Sequence, residues 1–163
     1  MALTLNASAG PAKKLGVAGT KLYIGSTVAA NLTTDTYEEL GTVATMPDLG
    51  ANDSEIAIEL IGDPLRFTAK GVTDPGGGEF TFLEDFTEDG LADLKDAQED
   101  RSNDYNMLME FPDIVTPVTG NGTRYFFRGK VLSYVTGLGG PNDYIKAKAN
   151  IKLNSRITIV AAA

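Results

Sequence analysis

The chain predicts an all-β domain: an antiparallel β-sandwich or partly closed barrel with one flanking α-helix. Three observations predict it. Many short segments alternate apolar and polar residues with a period of two, the pattern of half-buried strands. The 18 glycines and 7 prolines fall largely between those segments, where turns need them. A single segment, residues 87–98, carries the helical period instead. At 163 residues the chain is long enough for one sizeable core.

Residues 1–19 are rich in Ala, Gly, Pro and Ser and predict a flexible N-terminal arm that orders on contact with a partner. Residues 20–160 form the predicted domain. Residues 20–24 (TKLYI) are its first strand, and 25–36 a polar loop. Residues 37–46 (YEELGTVATM) predict a strand interrupted at Gly41, and 47–54 a loop. Residues 55–61 (EIAIELI) alternate, placing Ile56, Ile58 and Leu60 on an inward face and Glu55 and Glu59 on the other. Gly62-Asp63-Pro64 ends that strand, because proline lacks the ladder donor and restrains the residue before it. Residues 65–72 resume as a strand with Phe67 and Ala69 inward. Residues 74–78 (DPGGG) are a turn. Residues 79–84 (EFTFLE) place Phe80 and Phe82 inward.

The period then changes. Thr87 is the expected N-cap, with Glu88 and Asp89 at the positive end of the helix dipole. Phe86 and Leu91 have the spacing of a hydrophobic staple. Leu91, Leu94 and Ala97 make a narrow apolar stripe, suited to a helix lying on a sheet. Residues 105–111 (YNMLMEF) are a strand with Tyr105, Met107, Met109 and Phe111 on one face. Residues 112–122 are a turn region, and 99–104 a loop. Residues 124–135 and 144–153 are the two longest strands, joined by the Gly-rich loop 136–143. The second alternates cleanly: Ile145, Ala147, Ala149, Ile151 and Leu153 against Tyr144, Lys146, Lys148, Asn150 and Lys152. Residues 156–160 add a last short strand.

Composition narrows the chemistry. The chain has no Cys and no His, which removes disulfides, thiolate sites, Ser–His triads and the commonest metal ligand. No apolar run approaches the roughly 20 residues that span a bilayer. The lysines at 13 and 14 follow the apolar residues of the N-terminus, the reverse of a secretory signal, so a cytoplasmic product is expected. The net charge of -8 is unevenly distributed. Residues 35–113 hold 21 acids against four bases; residues 114–163 hold seven bases and one acid, Asp143. Opposite charges of this kind meet when copies assemble. An acidic total also argues against ordinary duplex binding.

Candidate sites are weak. Glu79, Glu84, Asp85, Glu88 and Asp89 are a possible glycosidase carboxylate set, but a solvated strand end and helix start explains them better. Asp96, Glu99, Asp100, Asn103 and Asp104 offer oxygen ligands for calcium without the EF-hand pattern. Gly137, Gly139 and Gly140 suggest a phosphate loop, but a strand follows where a helix N-terminus is needed. Lys146, Lys148 and Lys152 form a basic row, read as a solvated face, a subunit contact or, less well, a nucleic-acid surface, since Tyr144 alone interleaves with them. No enzyme, cofactor or metal is expected.

The order of landmarks carries more. AGTKLYIG, YEELGTVATMPDLG, EIAIELIGD, EFTFLED, EDGLADLKDAQ, YNMLMEFPD and the closing TRYFFRGKVLSYVTGLGGPNDYIKAKANIKLNSRITIV together resemble the major tail tube proteins of long-tailed, non-contractile bacteriophages of the lambda type. The resemblance spans residues 19–160 and rests on order and spacing. It implies a virion protein made in the host cytoplasm, six copies closing into a ring, and rings stacking head to tail into a tube with other tail proteins at its ends. Double-stranded DNA passes through such a tube without specific binding. On that reading Glu55 and Glu59 are lumen candidates, and Lys146, Lys148 and Lys152 contact acids of a neighbouring subunit. Asp48, Asn52, Asp74, Gly77, Gly139 and Pro141 are expected in loops between rings. The alternatives are a monomeric β-sandwich binding module, or another virion part such as a tail-completion or head-decoration protein.

Overall fold

The computed structural model describes residues 17–27, 30–62, 64–114 and 120–162. The expected N-terminal arm therefore lies mostly outside the described residues. The described chain is all-β with one helix. Its strands are β1 (Lys21–Thr27), β2 (Glu38–Glu39), β3 (Val43–Thr45), β4 (Asn52–Glu59), β5 (Arg66–Asp74) and β6 (Gly77–Leu83), followed by α1 (Asp89–Glu99). Then come β7 (Tyr105–Glu110), β8 (Arg124–Gly137), β9 (Lys146–Leu153) and β10 (Thr158–Val160). Eight strands make one antiparallel sheet in the order β2-β1-β7-β8-β9-β6-β3, with β10 beside β8. β4 and β5 form a separate two-stranded ribbon.

The sheet is rolled. β2 and β3 are its opposite edges, yet residues 40–42 alone connect them. So short a link spans at most about 14 Å, which draws the two edges close together. The link is held on both sides: the Leu40 N–H donates to the Leu22 carbonyl at 2.8 Å, and the Leu83 N–H to the Thr42 carbonyl at 2.9 Å. Gly41 takes φ +70°, a conformation that glycine adopts without a Cβ penalty. The sheet curls like the two layers of a sandwich, without closing into a barrel.

Inside the roll lie Leu22, Ile24, Leu40, Phe80, Phe82, Met107, Phe127, Val131, Ala147, Ala149, Ile151 and Leu153, each 3% exposed or less. The alternation of β9 is obeyed from Ala147 to Leu153, as predicted. Ile145 departs from it: it precedes the strand and is exposed. Tyr105 and Phe111 pack against the core beside Met107 and Met109. The opposite face of β7 is also covered. Leu108 is the register partner of Phe126, and Phe126 lies under Tyr37 with ring centroids 5.9 Å apart.

α1 closes the roll with Leu91, Leu94 and Ala97, the predicted stripe, all buried. Its start differs from expectation. Glu88 is the N-cap residue and its side chain makes no capping bond. Thr87 is engaged one step earlier, its hydroxyl donating to Asp85 at 2.6 Å. Phe86 is exposed and does not staple to Leu91; the Lys95 ammonium sits 5.3 Å from its ring instead. The helix ends in a turn gathered on Asp100. The Asn103 side chain and the Ser102 N–H donate to its carboxylate and hold its pKa down at about 2.

Two strand expectations change. The strand predicted over 55–61 begins at Asn52, and its inward set faces no core: Ile56, Ile58 and Leu60 are 50%, 41% and 56% exposed. The turn predicted over 74–78 is shorter, because Gly77 and Gly78 already pair in β6 with Lys152 and Ile151.

Gly90 is where the helix meets the link between the sheet edges. A Cβ there would lie 2.1 Å from the Glu39 carbonyl oxygen. Gly90→Ala is therefore expected to destabilise the fold by about 1–3 kcal/mol despite alanine's better helix propensity, measured as a lower urea midpoint with an unchanged slope.

Candidate functional site

The residues considered for catalysis are committed elsewhere. The Glu84 side chain is fully buried, at the core end of β6. It accepts from the Lys95 ammonium at 3.0 Å, from the Tyr134 hydroxyl at 2.9 and 3.0 Å, and from Thr136 at 3.1 Å. Burial, and the proton held toward Glu84, push the Tyr134 phenol well above its ordinary pKa. Lys95 in turn lies 5.0 Å from the Tyr134 ring, between it and Phe86. The cluster ties the end of β6, the middle of α1 and the far half of β8 into one unit. Glu79 pairs with Lys148 at 3.2 Å on the opposite face of the sheet. Glu84, Asp85 and Glu88 line one groove, but the Glu84 carboxylate is held by Lys95, Tyr134 and Thr136, and Asp85 by the Thr87 hydroxyl and N–H. Of the oxygen ligands weighed for calcium, Asp100 is taken by its own turn, and Asp104 by Asn154 at 3.0 Å and Lys130 at 3.5 Å. Among the described residues no group of three or more acids is arranged to hold a metal ion.

The lysine row lies on the wet face of β9, and each member has an acid of its own chain. Lys146 meets Asp143 at 2.9 Å, Lys148 meets Glu79, and Lys152 meets Asp74 at 2.9 Å. Asp74 and Glu79 come from the acidic middle of the sequence. The opposite charges therefore meet first within one subunit. All six side chains are more than a third exposed, so solvent screens each pair and it contributes little to stability.

The loop candidates fall at two opposite ends of the sheet. Asp48, Asn52, Asp74 and Gly77 gather where β6 begins. Asn52 and Asp74 are register partners that open the ribbon. Gly77 sits inside the sheet with φ +132°, and a Cβ there would lie 2.4 Å from the Ile151 carbonyl oxygen, so no side chain fits. Gly139 and Pro141 lie at the other end, in the exposed loop between β8 and β9.

The ribbon is the surface that sequence reasoning placed in the wrong layer. Its register sets Glu55 opposite Lys70, Ile56 opposite Ala69, Ala57 opposite Thr68, Ile58 opposite Phe67 and Glu59 opposite Arg66. Cross-strand partners share a face. One face is thus apolar, with Ile56, Ile58, Ala69 and Phe67. The other carries Glu55 and Glu59 balanced by Lys70 and Arg66. The turn at its end is apolar too: Leu60 is 56% exposed and Ile61 wholly exposed. A two-stranded ribbon with an uncovered apolar face is marginal by itself in water.

No family model matches this chain, and no curated protein matches it. Solved structures do. A chain in the cryo-EM structure of the anti-feeding prophage baseplate, 6-fold symmetrised, superposes with a TM-score of 0.61 at 8% identity, over 94% of this chain and 97% of that one. The SPP1 tail tube gives 0.58 at 12% identity, over 87% and 76%. The sheath/tube terminator structure of the PVC extracellular contractile injection system gives 0.59 at 12%, over 93% and 100%. The chain thus has the fold of tail-tube, tube-terminator and baseplate proteins. Contractile systems stand among these likenesses, so the fold does not single out the lambda-like, non-contractile class.

The buried cluster can be tested by itself. Lys95→Met strands the Glu84 carboxylate, and a loss of about 1.5–3 kcal/mol is expected in urea unfolding, with Lys95→Met/Glu84→Gln recovering part of it.

Proposed function

We propose that this chain is a structural subunit of a phage-type tail tube. In this reading six copies close into a ring and rings stack head to tail into a hollow tube. The observation that carries the reading is the ribbon, an amphipathic element whose apolar face is left exposed among the described residues. Exposed apolar surface of this kind marks a protein–protein contact. The fold supports the same reading, since it is shared with a tail tube and with tube terminators.

The finer features follow the sequence resemblance: a non-contractile, lambda-like tail, a place in the virion, and passage of double-stranded DNA. Six copies carry about -48 in all, a field that disfavours gripping a polyanion. Glu55 and Glu59 remain the lumen candidates. Lys70 and Arg66 beside them make that face neutral locally, so a net acidic lining depends on other residues. The lysine row remains a candidate subunit contact, because weak exposed pairs exchange easily for a neighbour's acids.

A second reading is a tube terminator, a single ring that ends the tube. The near-complete mutual coverage with the terminator and with the anti-feeding prophage cap favours it, the latter at 98% and 99%.

Electron microscopy with sedimentation of the purified protein tests both. Tubes with a central channel are expected; isolated six-fold rings support the terminator instead, and a monomer at every concentration sinks both in favour of a binding module. Phe67→Asp is expected to abolish tubes while shifting the monomer's melting midpoint by only a few degrees, because Phe67 is 45% exposed.

A further inference from the structure

A groove of about 420 Å³ opens at the end of the sheet opposite the ribbon's base, beside the Glu84 cluster. Its apolar wall is Leu83, Tyr144 and Ile145, and its rim carries Asp85 and Glu88. Tyr144 and Ile145 are 72% and 42% exposed, and Phe86, next to the rim, is 73% exposed. The Glu84 N–H donates to the Ile145 carbonyl at 3.0 Å, so the wall continues the sheet and is rigid. Nothing in the buried cluster requires the aromatic rings outside it to face water.

We infer that this groove receives the apolar end of the β4–β5 ribbon from a second copy of the chain. The inference rests on the tail-tube reading and names the two surfaces that would join one ring to the next. Three features choose the occupant. The first is position. The ribbon leaves the body where β6 begins, at Gly77, and the groove opens where β6 ends, at Leu83, about 20 Å away along the strand. A contact between opposite ends of one subunit is heterologous, and its repetition builds a filament. The second is shape and polarity. Leu60, Ile61, Ile58 and Phe67 form a narrow apolar end that suits a groove walled by two exposed apolar side chains. The third is charge. Arg66 flanks that end, its side chain 61% exposed, and the groove presents Asp85 and Glu88. Its in-chain partner, Glu59 at 3.8 Å, is held through an exposed pair that yields readily.

The absence of cysteine from the chain makes the contact directly testable. Ile61→Cys and Tyr144→Cys proteins are mixed under assembly conditions and treated with a short bismaleimide. A cross-linked dimer of one of each is expected, and a ladder of oligomers from the Ile61→Cys/Tyr144→Cys protein alone. Arg66→Glu added to the ladder-forming variant is expected to weaken the ladder. Cross-linking confined to Ile61→Cys with itself would overturn the inference, because the ribbons would then meet each other. Tubes by microscopy without Ile61–Tyr144 cross-links would overturn it while leaving the tail-tube reading intact. Monomers without cross-links would overturn both.

Discussion

The short link between the two edges of the rolled sheet is the constraint on which the rest of the structure depends. Residues 40–42 leave one edge at β2 and begin the other at β3, so the sheet must curl. Leu40, in that link, is fully buried and belongs to the core. The hydrogen bonds to Leu22 and from Leu83 fasten the link to both layers. Gly41 supplies the backbone angle and Gly90 the clearance for the helix to lie directly upon it. Remove the link and the two edges separate, the mouth of the roll opens, and α1 loses the surface it covers. The link also deals with exposed edges. β2 has two residues and β3 three, too short to template pairing with another chain.

The Glu84 cluster works against this background. A sheet rolled by a short link still has an open end, and α1 crosses it. Apolar contacts from Leu91 and Leu94 hold the helix down but allow it to slide. A buried carboxylate with several fixed donors does not, since each displaced donor leaves a polar group unsatisfied. Tyr134 and Thr136 reach it from β8, and Lys95 from the helix. The helix is thereby registered to the far half of β8, and the groove beside it is given a firm floor.

Much of this was legible in the sequence, for a physical reason. Period-two alternation reports that a segment has two unlike faces; β9 obeys it residue by residue, and β6 sends Phe80 and Phe82 into the core as it predicts, although Thr81 between them is buried too. The single helix and its stripe of Leu91, Leu94 and Ala97 were legible in the same way. Alternation does not report what covers the apolar face. Residues 55–61 alternate as cleanly as 79–84, yet one set stands in a ribbon and the other in the core. A weak signal was present: the break at 62–64 lies in a segment whose charges, Glu55, Glu59, Arg66 and Lys70, balance across the register, as an exposed hairpin requires. Cap geometry was misplaced by one residue, because Asp85 competes for the Thr87 hydroxyl. The Glu84 cluster was not legible at all. Its members are separated by up to 52 residues, and only the roll of the sheet brings them together.

On the tail-tube reading, the two uncovered surfaces are the ones that assembly would bring together. The ribbon's base and the groove lie at opposite ends of β6, and Gly77 at the base pairs with Lys152 of β9. Ribbon and groove both stay uncovered in the single chain, with Ile56, Ile58 and Phe67 exposed at one and Tyr144 and Ile145 at the other. Charge borders both surfaces: Arg66, beside Glu59, at one, and Asp85 and Glu88 at the other. Two copies meeting groove to groove bring like charges together. Ribbon to groove is the encounter that joins opposite charges and covers apolar surface at once. On the tail-tube reading, a subunit built this way has a direction, and the tube would inherit it from the path of β6.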